Sequence, residues 1–255
     1  MTQKEPKLTR REALAGVGAV GFVTLGAAAG RPTASWDDYP EYTYAQSDRP
    51  WNLLVGWRRT ENGAAVGSSP TDAETDVEAA GVRLVDTDNA LPGDEGAASV
   101  GLRLDDPADT AANGVRVWLR VAPEFDDDAA SRALAERVRL GVRYDTGLLG
   151  IGACAGAEGD FAGYGELIAA GTLAELSGGP LATGVELDPS LLGNACLTTD
   201  ERRCLTFAWE FDAEGGNAGQ GGSVGFDVEF AADDCTAEGN PFDMSAASDA
   251  AGGSA

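Results

Sequence analysis

The sequence predicts an all-β protein, a jelly-roll-like antiparallel β-sandwich with one or two short helices in its connections. Eight short apolar or alternating stretches recur along it, a number that suits a sandwich. Clusters of turn-forming residues separate them. One stretch, Val115–Val121, alternates cleanly: Val115, Val117, Leu119 and Val121 fall on one face and Arg116, Trp118 and Arg120 on the other. That is the pattern of a strand packed on one side and wetted on the other.

The eight stretches are Trp51–Trp57, Val82–Val85, Ala98–Leu104, Val115–Val121, Val138–Tyr144, Leu167–Ala170, Cys204–Phe211 and Val224–Phe230. The joints include Leu91-Pro92-Gly93-Asp94-Glu95-Gly96 and Asn113-Gly114, where Pro presets a turn and Gly and Asn accept a positive φ. Asp127–Val138 reads as a helix, because Ala130, Leu134 and Val138 recur at helical spacing beneath a charged face. Thr172–Leu176 fits a single helical turn. In the last two strands Phe207, Trp209 and Phe211 are expected to face Phe226, Val228 and Phe230 across the Gly-rich loop Glu214–Gly222, as the centre of the core.

The amino terminus has the form of an export signal. Residues 1–12 are polar and carry basic groups, and residues 13–29 are uncharged and small or apolar. Arg10 and Arg11 stand just before the apolar stretch, which fits a twin-arginine signal as well as an ordinary one. The apolar run falls short of the roughly 20 residues a bilayer span needs, which favours cleavage near Ala27–Gly30 over a retained anchor. The expected organisation is a signal over 1–30, an extended segment over 31–48, a sandwich over 49–235 and a disordered tail over 236–255. Gly16, Gly18 and Gly21 match a dinucleotide fingerprint only by spacing, since no strand precedes them.

Charge bounds the setting. Of 42 acidic and 18 basic side chains, residues 1–35 hold 2 and 5, leaving 40 and 13 and a net charge of −27 on the exported part. Such a body repels itself in dilute buffer, whereas about 1 M salt shrinks the screening length to about 3 Å. Lysine is absent after Lys7, every later basic group being arginine. The expectation is a salt-adapted exported protein, for which nucleic acid and anionic membranes are poor partners. Contact with a membrane is expected only through an uncleaved signal.

The same composition removes much chemistry. With no histidine, zinc sites of the H-E-x-x-H type and histidine-dependent triads drop out, and an exported part without lysine has no Schiff base or Ser-Lys pair. Glycoside hydrolysis by paired carboxylates survives, though no aromatic cluster beside acids marks a sugar cleft. Asp126-Asp127-Asp128 and the Asp86/Asp88 pair are candidates for calcium, set against a plain solvated face. No other cofactor is expected, and no N-x-S/T sequon is present.

Cys154, Cys196, Cys204 and Cys235 all follow the signal, and an even number in an exported chain implies two disulfides with three possible connectivities. If Cys204–Phe211 and Val224–Phe230 form a hairpin, Cys204 and Cys235 flank it and pair, leaving Cys154 with Cys196. Tyr42 and Tyr44 alternate with Thr43 in a polar segment that is either a linker or a strand for pairing with a neighbour.

Leu8-Thr9-Arg10-Arg11-Glu12-Ala13-Leu14, the Leu91–Gly96 turn with the strand Val100–Leu104, and the ending Phe207–Phe211, Gly216-Asn217, Ser223–Phe230 and Cys235 together resemble one family. It is the TasA/camelysin-like family of exported proteins with SipW-dependent-type signals, as found in salt-loving archaea. The resemblance implies a jelly-roll-like sandwich at the cell surface, a structural role in matrix or filaments through self-association or other surface proteins, and strand donation between subunits in the TasA branch. Camelysin-type members are labelled metallopeptidases, but no histidine is present here to carry a zinc site. After the signal, members show a Tyr/Phe-Ser/Thr-Asp-Thr/Glu stretch where this chain reads Gly30-Arg31-Pro32-Thr33-Ala34-Ser35-Trp36-Asp37-Asp38. A surface binding module for calcium or glycan is the alternative.

Overall fold

A computed structural model describes residues 41–44, 50–68, 82–88, 91–106, 109–111, 113–149, 153–157, 165–188, 196–212, 216 and 219–243. The residues expected to form an export signal, with Arg10 and Arg11, and the chain beyond 243 lie outside them. Eleven strands occupy two antiparallel sheets, so the expected all-β sandwich is the fold. The strands are β1 (Glu41–Tyr44), β2 (Asn52–Glu61), β3 (Ala64–Ser68), β4 (Val82–Asp88), β5 (Glu95–Asp105), β6 (Val115–Phe125), β7 (Val138–Tyr144), β8 (Leu167–Thr172), β9 (Val185–Glu186), β10 (Arg202–Phe211) and β11 (Ser223–Asp234).

The large sheet runs β1-β2-β5-β10-β7-β8, with β3 also on the outer side of β2, and the small sheet runs β4-β11-β6-β9. The last eight strands pair by nesting: β4 with β11, β5 with β10, β6 with β9 and β7 with β8. A long antiparallel ribbon rolled around a barrel-like core gives this order, which is that of a jelly roll.

Seven of the eight expected stretches lie within a strand, and the first, Trp51–Trp57, begins one residue before β2. β1, β3 and β9 are additional. β3 returns beside β2 through the two-residue turn Asn62-Gly63, whose φ values of 47° and 76° are those of a type I′ hairpin turn. Between β4 and β5, Asp94 closes the expected turn, its backbone N–H donating to Leu91 O (2.8 Å) and its carboxylate accepting from Leu91 N (2.7 Å).

The core lies between the sheets. Phe207, Trp209 and Phe211 come from the large sheet and Phe226, Val228 and Phe230 from the small one, and all six are buried as expected. Burying each Phe or Val side chain contributes about 1.5–3 kcal/mol. They do not belong to one hairpin, however: β10 pairs with β5 and β7, while β11 pairs with β4 and β6. The chain crosses from one sheet to the other between them.

Helix α1 (Ala129–Ala135) plugs one end of the sandwich with Leu134 and Ala135. Asp128 caps it, accepting from Ala130 N (2.7 Å), Ser131 N (3.0 Å) and Ser131 Oγ (2.6 Å). The helix stops short of the expected Val138 because that residue joins β7, opposite Phe211. Gly222, in the β10–β11 crossing, sits on the helix backbone, where a Cβ would lie 2.6 Å from the Ala130 carbonyl carbon. Helix α2 (Leu173–Leu176) is the expected single turn, held by a reciprocal capping box between Thr172 and Glu175. Helix α3 (Pro180–Thr183) follows, with proline in its first turn.

Two expectations change at the outer face of the small sheet. The face holding Arg116, Trp118 and Arg120 is not simply wet, since Trp118 is only 4% exposed. The tail expected from residue 236 instead packs on this face as far as 243. Arg116 donates to Ala237 O (3.3 Å), Arg120 lies 4.4 Å from the centre of the Phe242 ring, and Asn240 donates to Thr183 O (2.9 Å) and Gly184 O (3.2 Å). Arg120 also pairs with Glu229 on β11. Phe242, Asn240 and the Ala237 carbonyl together hold the segment in place.

Candidate functional site

Three features of the fold bear on function: the two edges of the large sheet, the disulfides, and the long β7–β8 connection. At the first edge, β1 lies antiparallel on the domain's own β2, with Glu41 opposite Gly56, Tyr42 opposite Val55, Thr43 opposite Leu54 and Tyr44 opposite Leu53. The segment singled out by Tyr42 and Tyr44 is therefore a strand, and it closes a stretch of β2 whose Leu53 and Val55 are fully buried. β3 covers the next stretch of the same edge, Arg58–Glu61. At the opposite edge, among the described residues, β8 pairs with β7 on one side only.

Both disulfides form, but with a different connectivity from the hairpin reading. Cys154 bonds to Cys204 and Cys196 to Cys235, with Cα–Cα separations of 5.3 and 5.8 Å. The pairing of Cys204 with Cys235 fails because β10 and β11 lie in opposite sheets, so their flanking cysteines never become cross-strand neighbours. Cys204 instead ties the β7–β8 connection to the large sheet. Cys196 ties the segment before β10 to the end of β11, where Cys235 N also donates to Gly114 O (3.2 Å). Two disulfides are the mark of an oxidising compartment.

Residues 154–157 of the β7–β8 connection lie on the outer face of the large sheet. Ala98 and Val100 point into the core, so Ser99 between them faces outward, and its Oγ accepts from Ala157 N (2.7 Å). Asp145 holds the same loop: its carboxylate accepts from Gly156 N (2.8 Å), its carbonyl from Cys154 N (3.1 Å), and its own N–H donates to Cys204 O (2.8 Å). Burial pushes the Asp145 carboxyl above its usual range, against the opposing pull of the Gly156 and Cys154 N–H groups. Beside it, burial raises the Tyr144 phenol to about 12, while the Arg203 charge acts the other way. Arg203, itself buried, donates to Leu187 O (2.6 Å). Asp145 and Ser99 form a polar seam that fixes the loop at residues 154–157, while Tyr144 and Arg203 lie on the inner face of the same sheet.

Asp145 yields a pH prediction. Its carboxyl takes up a proton more readily in the folded chain than in the unfolded one. Its contribution to stability is therefore fully present below the unfolded value of 3.8 and is lost as pH rises through the folded value. Asp145→Asn keeps an oxygen for Gly156 N and removes the titration. In thermal melts in concentrated salt, the wild-type midpoint minus the D145N midpoint should grow as pH falls from neutral toward 4. A difference independent of pH would refute this.

The acidic stretch proposed for calcium has other work. Asp128 is the α1 cap, its carboxyl held low first by the Ser131 hydroxyl, and Asp127 pairs with Arg132 at 3.2 Å. Asp86 and Asp88 lie on β4. Among the described residues no cluster of three or more Asp, Glu, Cys or His side chains is placed to hold a metal ion. Sequence reasoning missed the Asp145 seam and the Leu148-Leu149 turn; the signal for both was Asp145-Thr146-Gly147 directly after a strand, which stops the strand and starts a long excursion. No protein-family model, curated protein or solved structure matches this chain.

Proposed function

We propose that the chain is an exported structural protein of the cell surface or extracellular matrix, working in concentrated salt and assembling by strand exchange, as its TasA-like features imply. The observation that supports this most is β1. A four-residue strand at the amino-terminal edge of a jelly roll, held through backbone pairing to β2, is the kind of element one subunit can exchange with the next. Exchange leaves every hydrogen bond in place and changes only which chain supplies the strand. Where each chain donates to a different neighbour, the result is an open filament. The disulfides and the salt-tolerant charge suit an exported body that must stay folded without cellular upkeep.

The test compares a chain beginning at Gly30 with one beginning at Arg49, both in multimolar KCl, by light scattering and electron microscopy. Filament growth by the longer chain alone is the expected result. Two equally monomeric or equally polymeric chains would remove β1 as the exchanged strand and leave a plain surface protein.

A further inference from the structure

Asp145 and the Cys154–Cys204 disulfide meet on the outer face of the large sheet, a buried carboxyl beside a sulfur–sulfur bond. The β7–β10 register, which pairs Leu205 with Tyr144, continues by one step to Cys204 and Asp145, and the Asp145 N–H donates to Cys204 O (2.8 Å). Residues opposite each other across an antiparallel pair share a face, with Cβ atoms about 4.5–5.5 Å apart. The loop then closes over both. Cys154 N donates to the Asp145 carbonyl (3.1 Å) and Gly156 N to its carboxylate (2.8 Å), so the chain that the disulfide ties down also encloses the carboxyl. Asp145 is 8% exposed and Cys204 7%, whereas Cys154 is half-buried. Cys154 also sits at φ +60°, in the left-handed region that residues other than glycine seldom occupy, and breaking the bond relieves it.

We propose that Cys154–Cys204 is a thiol-exchange site, at which a dithiol of another molecule opens the disulfide and Asp145 hands a proton to the departing Cys204 sulfur. The reading goes beyond the structural role above and does not depend on strand exchange. The incoming thiolate bonds to the Cys154 sulfur, the more accessible of the two, and the S–S bond breaks with its electron pair going to Cys204. A thiolate released at a buried position is costly to leave charged. Transfer of the Asp145 proton leaves a neutral Cys204 thiol and a carboxylate that still accepts from Gly156 N. The second thiol of the incoming molecule then displaces Cys154, so the reductant leaves as a disulfide and the chain holds a thiol at each cysteine. In the reverse direction the Asp145 carboxylate takes the proton from Cys204.

The surroundings suit that role. Arg143, Arg202 and Arg103 share this face of the sheet and Glu166 stands beside Tyr144, while residues 153–157 carry no charge. Burial outweighs the Gly156 and Cys154 N–H groups and raises the carboxyl, which therefore holds a proton at a pH where an exposed aspartate has lost it. Cys196–Cys235 differs. Cys196 is 2% exposed, lies against Gly114, and is followed by Leu197, which exchanges two backbone bonds with Val115, so the sheet walls that sulfur in.

The test follows both disulfides in the whole chain in multimolar KCl, with dithiothreitol as the reductant and the freed thiols trapped by alkylation and located by peptide mapping. Cys154 and Cys204 should be freed first, with Cys196–Cys235 still closed. Divided by the concentration of reductant thiolate, the wild-type rate should rise as pH falls from neutral toward 4, by about a hundredfold at full protonation, the low end of what a positioned acid supplies. Asp145→Asn should give a flat profile at the slow, neutral-pH level. Equal opening of both disulfides, or a flat wild-type profile, would overturn the proposal, and both are read without the variant. A D145N profile flat at the fast level would also overturn it, since charge repulsion and not proton transfer would then set the rate. An Asp145 that is only structural gives the reverse slope, because its protonation stabilises the fold and slows opening. None of these outcomes bears on β1, which the chains from Gly30 and Arg49 test separately.

Discussion

Exchanging both members of either disulfide for alanine is expected to cost about 4 kcal/mol at 25 °C, because the bonds close loops of 50 and 39 residues and so remove much freedom from the unfolded chain. Removing both should leave little of the roughly 5–15 kcal/mol that holds a typical domain together. The two losses differ in character. Without Cys196–Cys235 the segment before β10 and the end of β11 are linked through backbone bonds to Gly114 and Val115 at the start of β6. Without Cys154–Cys204 the described loop residues 154–157 rely on hydrogen bonds to Ser99 and Asp145. Chemical denaturation in concentrated salt, with C154A/C204A and C196A/C235A compared with wild type, measures both. A midpoint unmoved by either pair would contradict the connectivity or its energetic role.

Lowering the salt should have the other large effect. With 42 acidic against 18 basic groups, the folded chain confines like charges that the unfolded chain spreads apart. Ion pairs such as Arg120–Glu229 and Arg116–Glu186 are local, and 18 basic groups are too few to balance 42 acidic ones. Screening must supply the rest, and it weakens as the Debye length grows from about 3 Å at 1 M to about 10 Å at 0.1 M. Near-ultraviolet circular dichroism should show tertiary structure lost cooperatively below about 1 M KCl and regained on restoring it. A fold that persists in dilute buffer would refute the salt requirement. Combining the perturbations sharpens the test, since a disulfide-free variant should need more salt than wild type to fold.

Strand positions were legible in the sequence because burial leaves a local mark. Val115, Val117, Leu119 and Val121 announce both the existence of β6 and its inner face, and Thr172 with Glu175 announces the start of α2. Asn62-Gly63 equally marks the β2–β3 hairpin, a signal read only once the positive φ values were seen. Partnership was not legible. Phe207, Trp209 and Phe211 face Phe226, Val228 and Phe230 whether the two strands are neighbours in one sheet or come from opposite layers, because alternation specifies a face and not a partner. The disulfide connectivity failed for that reason alone. The packed segment ending at Phe242 and the polar seam at Asp145 were hidden differently: each depends on a single side chain meeting a surface made by residues distant in sequence. The edges follow the same division. That β8 lacks charge is visible in the sequence, but that it ends a sheet is not.

The nested pairing of the jelly roll also dictates an order of events in time. Arg139 meets Thr172 across the innermost pair, Leu119 meets Val185 across the next, then Arg103 meets Arg202, and Asp88 meets Ser223 last. Each closure brings the ends of the next span nearer, so the ribbon can zip from its middle outward without meeting the full entropy of the longest loop at once. The outermost pair cannot form until β11 has been synthesised. While β11 is still inside the ribosome, three of the four nested pairs can close, but β4 and β6 both lack the strand that lies between them.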